Sequence, residues 1–156
     1  MGARILDGVV PLVVVDPLPV VRLGLSGSMP DFGYIPVDPA DPLKFLRGTP
    51  DAVALVTLVV AGDAGAAGRQ VLAAASTAVC LIDSWEPRLV REAVRAGAAG
   101  IELRSASPDR IASTLDAARR GDAVLPVEML RAVVDAALPG PSCRVSGSSG
   151  QVKVGT

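Results

Sequence analysis

The sequence predicts an α/β domain in which a parallel sheet is covered by helices on both faces. Short apolar runs alternate with helical segments along most of the chain, the pattern that buries strands between two helical layers. Prolines stand at the starts of several helical segments and glycines at their ends, where each residue's backbone geometry fits.

The elements follow in order. Leu12–Val15 reads as the first strand and is followed by a helix from about Pro19 to Met29, with proline in its first turn. Tyr34–Val37 is a weaker second strand. "DPADPLKFLRG" gives a short helix opened by Pro42 and closed by Gly48. "DAVALVTLVV", Asp51–Val60, is rich in β-branched residues and bounded by Thr49-Pro50 and Ala61-Gly62, so it is predicted as a central strand. "AGAAGRQVLAAA" makes a third helix that Gly65 and Gly68 should weaken, and "TAVCLID" is the fourth strand. "EPRLVREAVRAG" is an amphipathic helix stopped by Gly97, and "AGIEL" is a short fifth strand. "SPDRIASTLDAARRG" has Ser107 as N-cap, Pro108 at the first helical position, Asp109 near the positive helix end and Arg119 and Arg120 at the negative one. A last helix in "PVEMLRAVVDAAL" aligns Leu130, Val133, Val134, Ala137 and Leu138, a stripe expected to pack on its own domain, with a dimer or linker surface as second reading. The tail after it is rich in Gly, Ser and Pro.

The 156 residues suit one domain plus a tail, and a formal net charge of −1 asks for neither nucleic acid nor an anionic membrane. Cys80 and Cys143 show neither a disulfide framework nor zinc-ligand spacing, so both are expected as free thiols in a reducing cytoplasm. The absence of histidine removes the commonest general base and most transition-metal sites. No segment reads as a signal peptide or membrane span. In a sheet wound this way, functional groups gather at the carboxyl ends of the strands, where Asp16 and Asp83 are predicted to lie. A strand-end acid of this kind either caps the next helix or serves a site, and residue types alone leave both readings open.

Two stretches resemble the receiver domain of NarL/FixJ-type bacterial response regulators. "VDPLPVVRLGL" matches the family's V-D-D-H-P-L-V-R-E-G-L at Val15, Asp16, Pro19, Val21, Arg22, Gly24 and Leu25. "LVREAVRAGAAGIELRSASPDRIASTLDAARRGDAVLPVEML" is similar to the family's L-V-R-E-A-L-R-A-G-A-x-G-Y-L-L-K-x-A-S-P-E-E-L and its G-E-x-x-L-P linker. The resemblance covers about residues 8 to 138. It implies a flavodoxin-like fold with a five-stranded parallel sheet in the order 2-1-3-4-5. It also implies a receiver-like domain over 8–122, a linker helix over 123–138 and a disordered tail over 139–156, with no helix-turn-helix output domain following.

In the family, two acids after the first strand hold Mg²⁺ and an aspartate ending the third strand accepts a phosphoryl group. Here Asp16 matches the first acid, and Pro17 replaces the second. The acceptor falls on Thr57 or, one residue earlier, on Val56. The switch hydroxyl of the fourth strand falls on Ile82 or Asp83, the switch aromatic becomes Ile101, and the phosphate-gripping lysine becomes Arg104. These departures describe a degenerate phospho-acceptor pocket of the atypical, or pseudo-receiver, kind, with no metal, no cofactor and no enzymatic activity expected. Arg104 is expected either to pair with Asp16, Asp83 or both, or to leave each group separately solvated.

The implied function is a phosphorylation-independent module in signal transduction and transcriptional regulation, cytoplasmic, acting through protein contacts or homodimerisation and without binding DNA itself. The alternative is a sensor of a small-molecule pathway end product within a DNA-binding regulator, its apolar pocket lined by Pro17, Val56 or Thr57, Ile82 and Ile101.

Overall fold

The computed structural model describes residues 8–59, 62–122, 125, 129–131 and 134. Five strands, β1 (Val10–Val15), β2 (Tyr34–Val37), β3 (Val53–Thr57), β4 (Thr77–Ile82) and β5 (Gly100–Leu103), form one sheet in the order β2-β1-β3-β4-β5. All four pairings are parallel. Five helices connect or follow them: α1 (Pro19–Ser28), α2 (Pro42–Gly48), α3 (Gly62–Ala74), α4 (Pro87–Arg95) and α5 (Pro108–Arg119). A 3-10 turn, Met29–Phe32, separates α1 from β2. Both the fold class and the strand order are those expected from the sequence.

Side chains alternate across the sheet and divide its apolar residues between two layers. Leu12, Val53, Leu55, Val79 and Leu81 face α1 and α5, where they meet Leu25, Met29, Ile111 and Leu115. Val13, Ala54, Val56, Cys80, Ile82 and Ile101 face the other way, toward Leu46, Val71, Leu72, Val90 and Ala93 of α2, α3 and α4. Registers such as Val15 opposite Val56, Thr57 opposite Leu81 and Ile82 opposite Leu103 bring the carboxyl ends of β1, β3, β4 and β5 to one edge.

Several boundaries differ from the sequence expectation. The first strand begins two residues earlier, at Val10, and the third is shorter than Asp51–Val60. Leu58 still donates its N–H to the Leu81 carbonyl at 2.8 Å, and the chain then leaves the sheet. Ser107 has the extended backbone of an N-cap, but its hydroxyl makes no capping hydrogen bond. The glycines of α3 prove to be packing residues. A Cβ on Gly65 would stand 2.4 Å from the Val59 carbonyl oxygen, and one on Gly68 would stand 3.2 Å from Val56 Cγ1. They let the helix lie against the end of β3.

Gly97 closes α4 as expected, with φ +99° and the Ala98 N–H returning to the Ala93 carbonyl at 3.1 Å. Residues 129–131 and 134 are helical. Met129 is buried in the core, whereas Leu130 and Val134, two residues of the stripe expected to pack inward, are 49% and 53% exposed. Val133, Ala137 and Leu138 lie outside the described residues, as do Cys143 and the tail. No described helix is long and apolar enough to cross a membrane.

Candidate functional site

Asp16 follows β1 directly and is only 3% exposed. The turn Pro17-Leu18-Pro19 folds back over it, so that Oδ1 accepts the Leu18 N–H at 2.8 Å. Arg104 approaches from the end of β5, held at that edge by its own N–H, which donates to the Ile82 carbonyl at 2.8 Å. Its guanidinium meets the carboxylate with two prongs, Nη2 to Oδ1 at 2.6 Å and Nε to Oδ2 at 3.0 Å. Thr57, the last residue of β3, donates its hydroxyl to Oδ2 at 2.5 Å. Below the carboxylate, the Asp16 carbonyl accepts from Arg22 Nη1 at 2.5 Å, which ties α1 to the same point.

Asp16 does not cap α1, whose N-cap is Leu18 with no side-chain capping bond; it closes the turn before that helix and gathers Thr57 and Arg104 around its carboxylate. Asp83 joins more loosely. Its Oδ1 lies 3.6 Å from Arg104 Nη1, and its side chain is 71% exposed, where water screens an ion pair. The alternative in which Arg104, Asp16 and Asp83 are separately solvated does not hold for Asp16.

The electrostatics follow from these contacts. Burial pushes the Asp16 carboxyl up. The hydrogen bonds from Thr57, the Leu18 N–H and Arg104, with the Arg104 charge, outweigh that and hold it below the ordinary carboxylate value.

Strand alternation places the remaining residues. Thr57, not Val56, faces Asp16, since Val56 points into the opposite layer with Ile82 and Ile101. All three are buried in that core and pack among their neighbours, so they do not form the apolar wall expected of a vacated pocket. Pro17 is exposed. A shallow cavity of about 310 Å³ at this edge is lined instead by Leu18, Val21, Asp83, Arg104 and Ser105.

Mg²⁺, which the two-acid arrangement of this fold would hold, does not fit these residues. It requires oxygen ligands with lone pairs to give, and both Asp16 oxygens are already engaged by an arginine and other donors. Pro17 offers no side-chain oxygen. Among the described residues no group of three His, Cys, Asp or Glu side chains is arranged to hold a metal.

The sheet order, the helix layers and the cluster at the carboxyl edge together decide the fold. It is that of a response-regulator receiver domain. The LuxR-family two-component response regulator from Aurantimonas sp. superposes with a TM-score of 0.63 at 22% identity, covering 81% of this chain and 96% of that one. The signal receiver domain of the response regulator NarL from Mycobacterium tuberculosis gives 0.56 at 26% identity, over 72% of this chain and 98% of the other. ChrA, a response regulator of a heme-sensing two-component system, gives 0.59 at 21% identity, over 91% and 70%. No protein-family model and no curated protein matches the sequence.

Sequence reasoning missed two features of this receiver fold. Glu102 on β5 is a buried carboxylate, bonded by Arg110 Nε at 3.0 Å and Thr114 Oγ1 at 3.2 Å. The lone acid within "AGIEL" was its only signal. Tyr34 donates its hydroxyl to Asp116 across 82 positions, a pairing that no local pattern could indicate.

Proposed function

We propose that this chain is a phosphorylation-independent receiver module in bacterial signal transduction and transcriptional regulation, acting in the cytoplasm through protein contacts and not as an enzyme. One observation carries the reading. The carboxylate matching the family's surviving metal ligand is saturated from within by Arg104, Thr57 and the Leu18 N–H, and the strand end that carries the family's acceptor aspartate presents a threonine. Arginine fills the space between the strand ends with a fixed charge, so the site holds one arrangement without metal or phosphate.

The partner surface follows from the same edge. Arg104 links β5 to the turn after β1 and reaches Asp83 at the start of the β4–α4 loop. The strand-end edge held by Asp16 and Arg104 presents one constant face to a partner, and separately the half-exposed Leu130 and Val134 beyond α5 favour a protein contact, with a second copy of the chain as one such partner. RcsB, a structural neighbour at 16% identity with a TM-score of 0.58, has been solved as dimers bound to DNA. For this chain we propose a receiver-like domain over residues 8–122, followed by a linker helix over 123–138.

Intact-mass spectrometry after incubation with acetyl phosphate and Mg²⁺ tests the reading. The parent chain is expected to gain no phosphoryl adduct. A Thr57→Asp variant run beside it reports whether an acceptor carboxylate alone was lacking. An adduct on the parent, mapped to Asp16, Asp63 or Asp83, would overturn phosphorylation independence.

A further inference from the structure

A second concave site lies away from the Asp16 cluster, where α5 crosses the edge strand β5. It is a groove of about 660 Å³, within the range of roughly 300–1,000 Å³ typical of small-molecule sites. Its walls include Trp85 from the β4–α4 loop, Glu102 of β5, Asp109, Arg110 and Thr114 of α5, and Asp122.

Three features define what the groove can hold. Glu102 is 4% exposed, and a buried carboxylate must keep donors on its oxygens. Oε1 is held by the Leu103 N–H at 2.9 Å, while Oε2 depends on Arg110 and Thr114. The Arg110 side chain is 63% exposed, so it can swing outward whenever another N–H donor takes its place. Among the described residues three carboxylates line this space with one guanidinium; Glu102 is bonded by Arg110 and Thr114, and Asp122 pairs with Arg120 at 3.2 Å, between exposed groups that water screens. Finally, Trp85 is half-buried and supplies a flat apolar face on which a cation is favoured.

We propose that this groove binds a small organic cation with a flat apolar body, such as an aromatic amidinium or amine. The apolar body lies against Trp85, and the N–H donors reach Glu102 Oε2 and Asp109. Exchange of one cation for another at Glu102 leaves no buried charge unpaired, whereas an anion would meet three carboxylates.

Trp85 is the only tryptophan of the chain, so its fluorescence reports the groove directly. The folded full chain is titrated with benzamidinium and, separately, with benzoate, which has the same shape and the opposite charge. Saturable change is expected with benzamidinium only. Asp109→Asn should weaken it by about threefold to fivefold, the scale of one exposed charge pair. Arg110→Ala should tighten it, because Glu102 then lacks its internal partner, and benzamidinium should raise the melting temperature of that variant more than that of the parent. Absence of saturation with benzamidinium, an equal response to benzoate, or an unchanged affinity in both variants would each overturn the proposal. None of these readouts involves Asp16, Thr57 or Arg104, so they stand or fall separately from the acetyl phosphate result.

Discussion

Arg104 holds Asp16 by two hydrogen bonds, Nη2 to Oδ1 at 2.6 Å and Nε to Oδ2 at 3.0 Å, between residues 88 positions apart in the chain. The carboxylate is buried, so its partner cannot be replaced by water. Arg104→Ala is expected to destabilise the fold by about 3–5 kcal/mol, the usual cost of leaving a buried charge uncompensated. Arg104→Lys keeps the charge but loses the fork and should cost about 1–2 kcal/mol. Urea denaturation of the three chains checks the order.

Thr57→Val keeps the shape of the side chain and deletes the hydroxyl that donates to Asp16 Oδ2. A loss of about 1–3 kcal/mol is expected, since one acceptor of a charged group is left with fewer donors. Combined with Arg104→Ala, the two losses should not add, because both act on the same carboxylate, and a double-mutant cycle measures that coupling.

The depressed Asp16 pKa makes stability depend on acid. A group whose folded pKa lies below its unfolded value contributes stability that is present above the unfolded value, about 3.9 for an aspartate. That contribution is lost as pH falls through the lower folded pKa. The urea midpoint should therefore fall on acidification, and Asp16→Asn should flatten this limb while lowering stability at neutral pH.

Tyr34 sets the alkaline limb. Burial and the hydrogen bond to Asp116 push its phenol up to about 12, against an opposing pull from Arg119, which lies 5.8 Å over the ring. It is the only tyrosine in the chain, so ultraviolet titration of phenolate reads this one group. The midpoint is expected near 12 in the folded protein and near the ordinary value in urea. Because the folded pKa is raised, its stabilisation is complete below about 10 and declines as pH rises through the folded value. Asp116→Asn should lower the midpoint.

Gly65→Ala inverts the usual helix rule. Alanine in a helix interior normally gains about 1 kcal/mol over glycine. Here the added Cβ would stand 2.4 Å from the Val59 carbonyl, a contact that must be relieved by moving backbone. A net loss of about 1–3 kcal/mol, the cost of overpacking, is expected. Gly68→Ala, whose nearest neighbour is a methyl at 3.2 Å, should cost less. Thermal melts of both variants test the difference.

The sequence by itself determined the elements and the edge where the site lies. Runs such as "PLVVV" and "TAVCLI" are apolar on both faces because both faces are covered, and prolines and glycines bound the helices through backbone geometry that acts within a few residues. It also showed that Pro17 has no side-chain oxygen and that neither Val56 nor Thr57 is an acid.

Tertiary structure decided the rest. Thr57 and Val56 cannot be told apart as strings, but the β3 register turns one to Asp16 and the other into the core. The choice of Asp16 over Asp83 as the main partner of Arg104 depended on burial, which a sequence does not state. Gly65 and Glu102 acquired their roles only from what packs against them. Local backbone preferences are written in neighbouring residues, whereas the strength of a charge pair and the space around a Cβ are set by groups that only folding brings together.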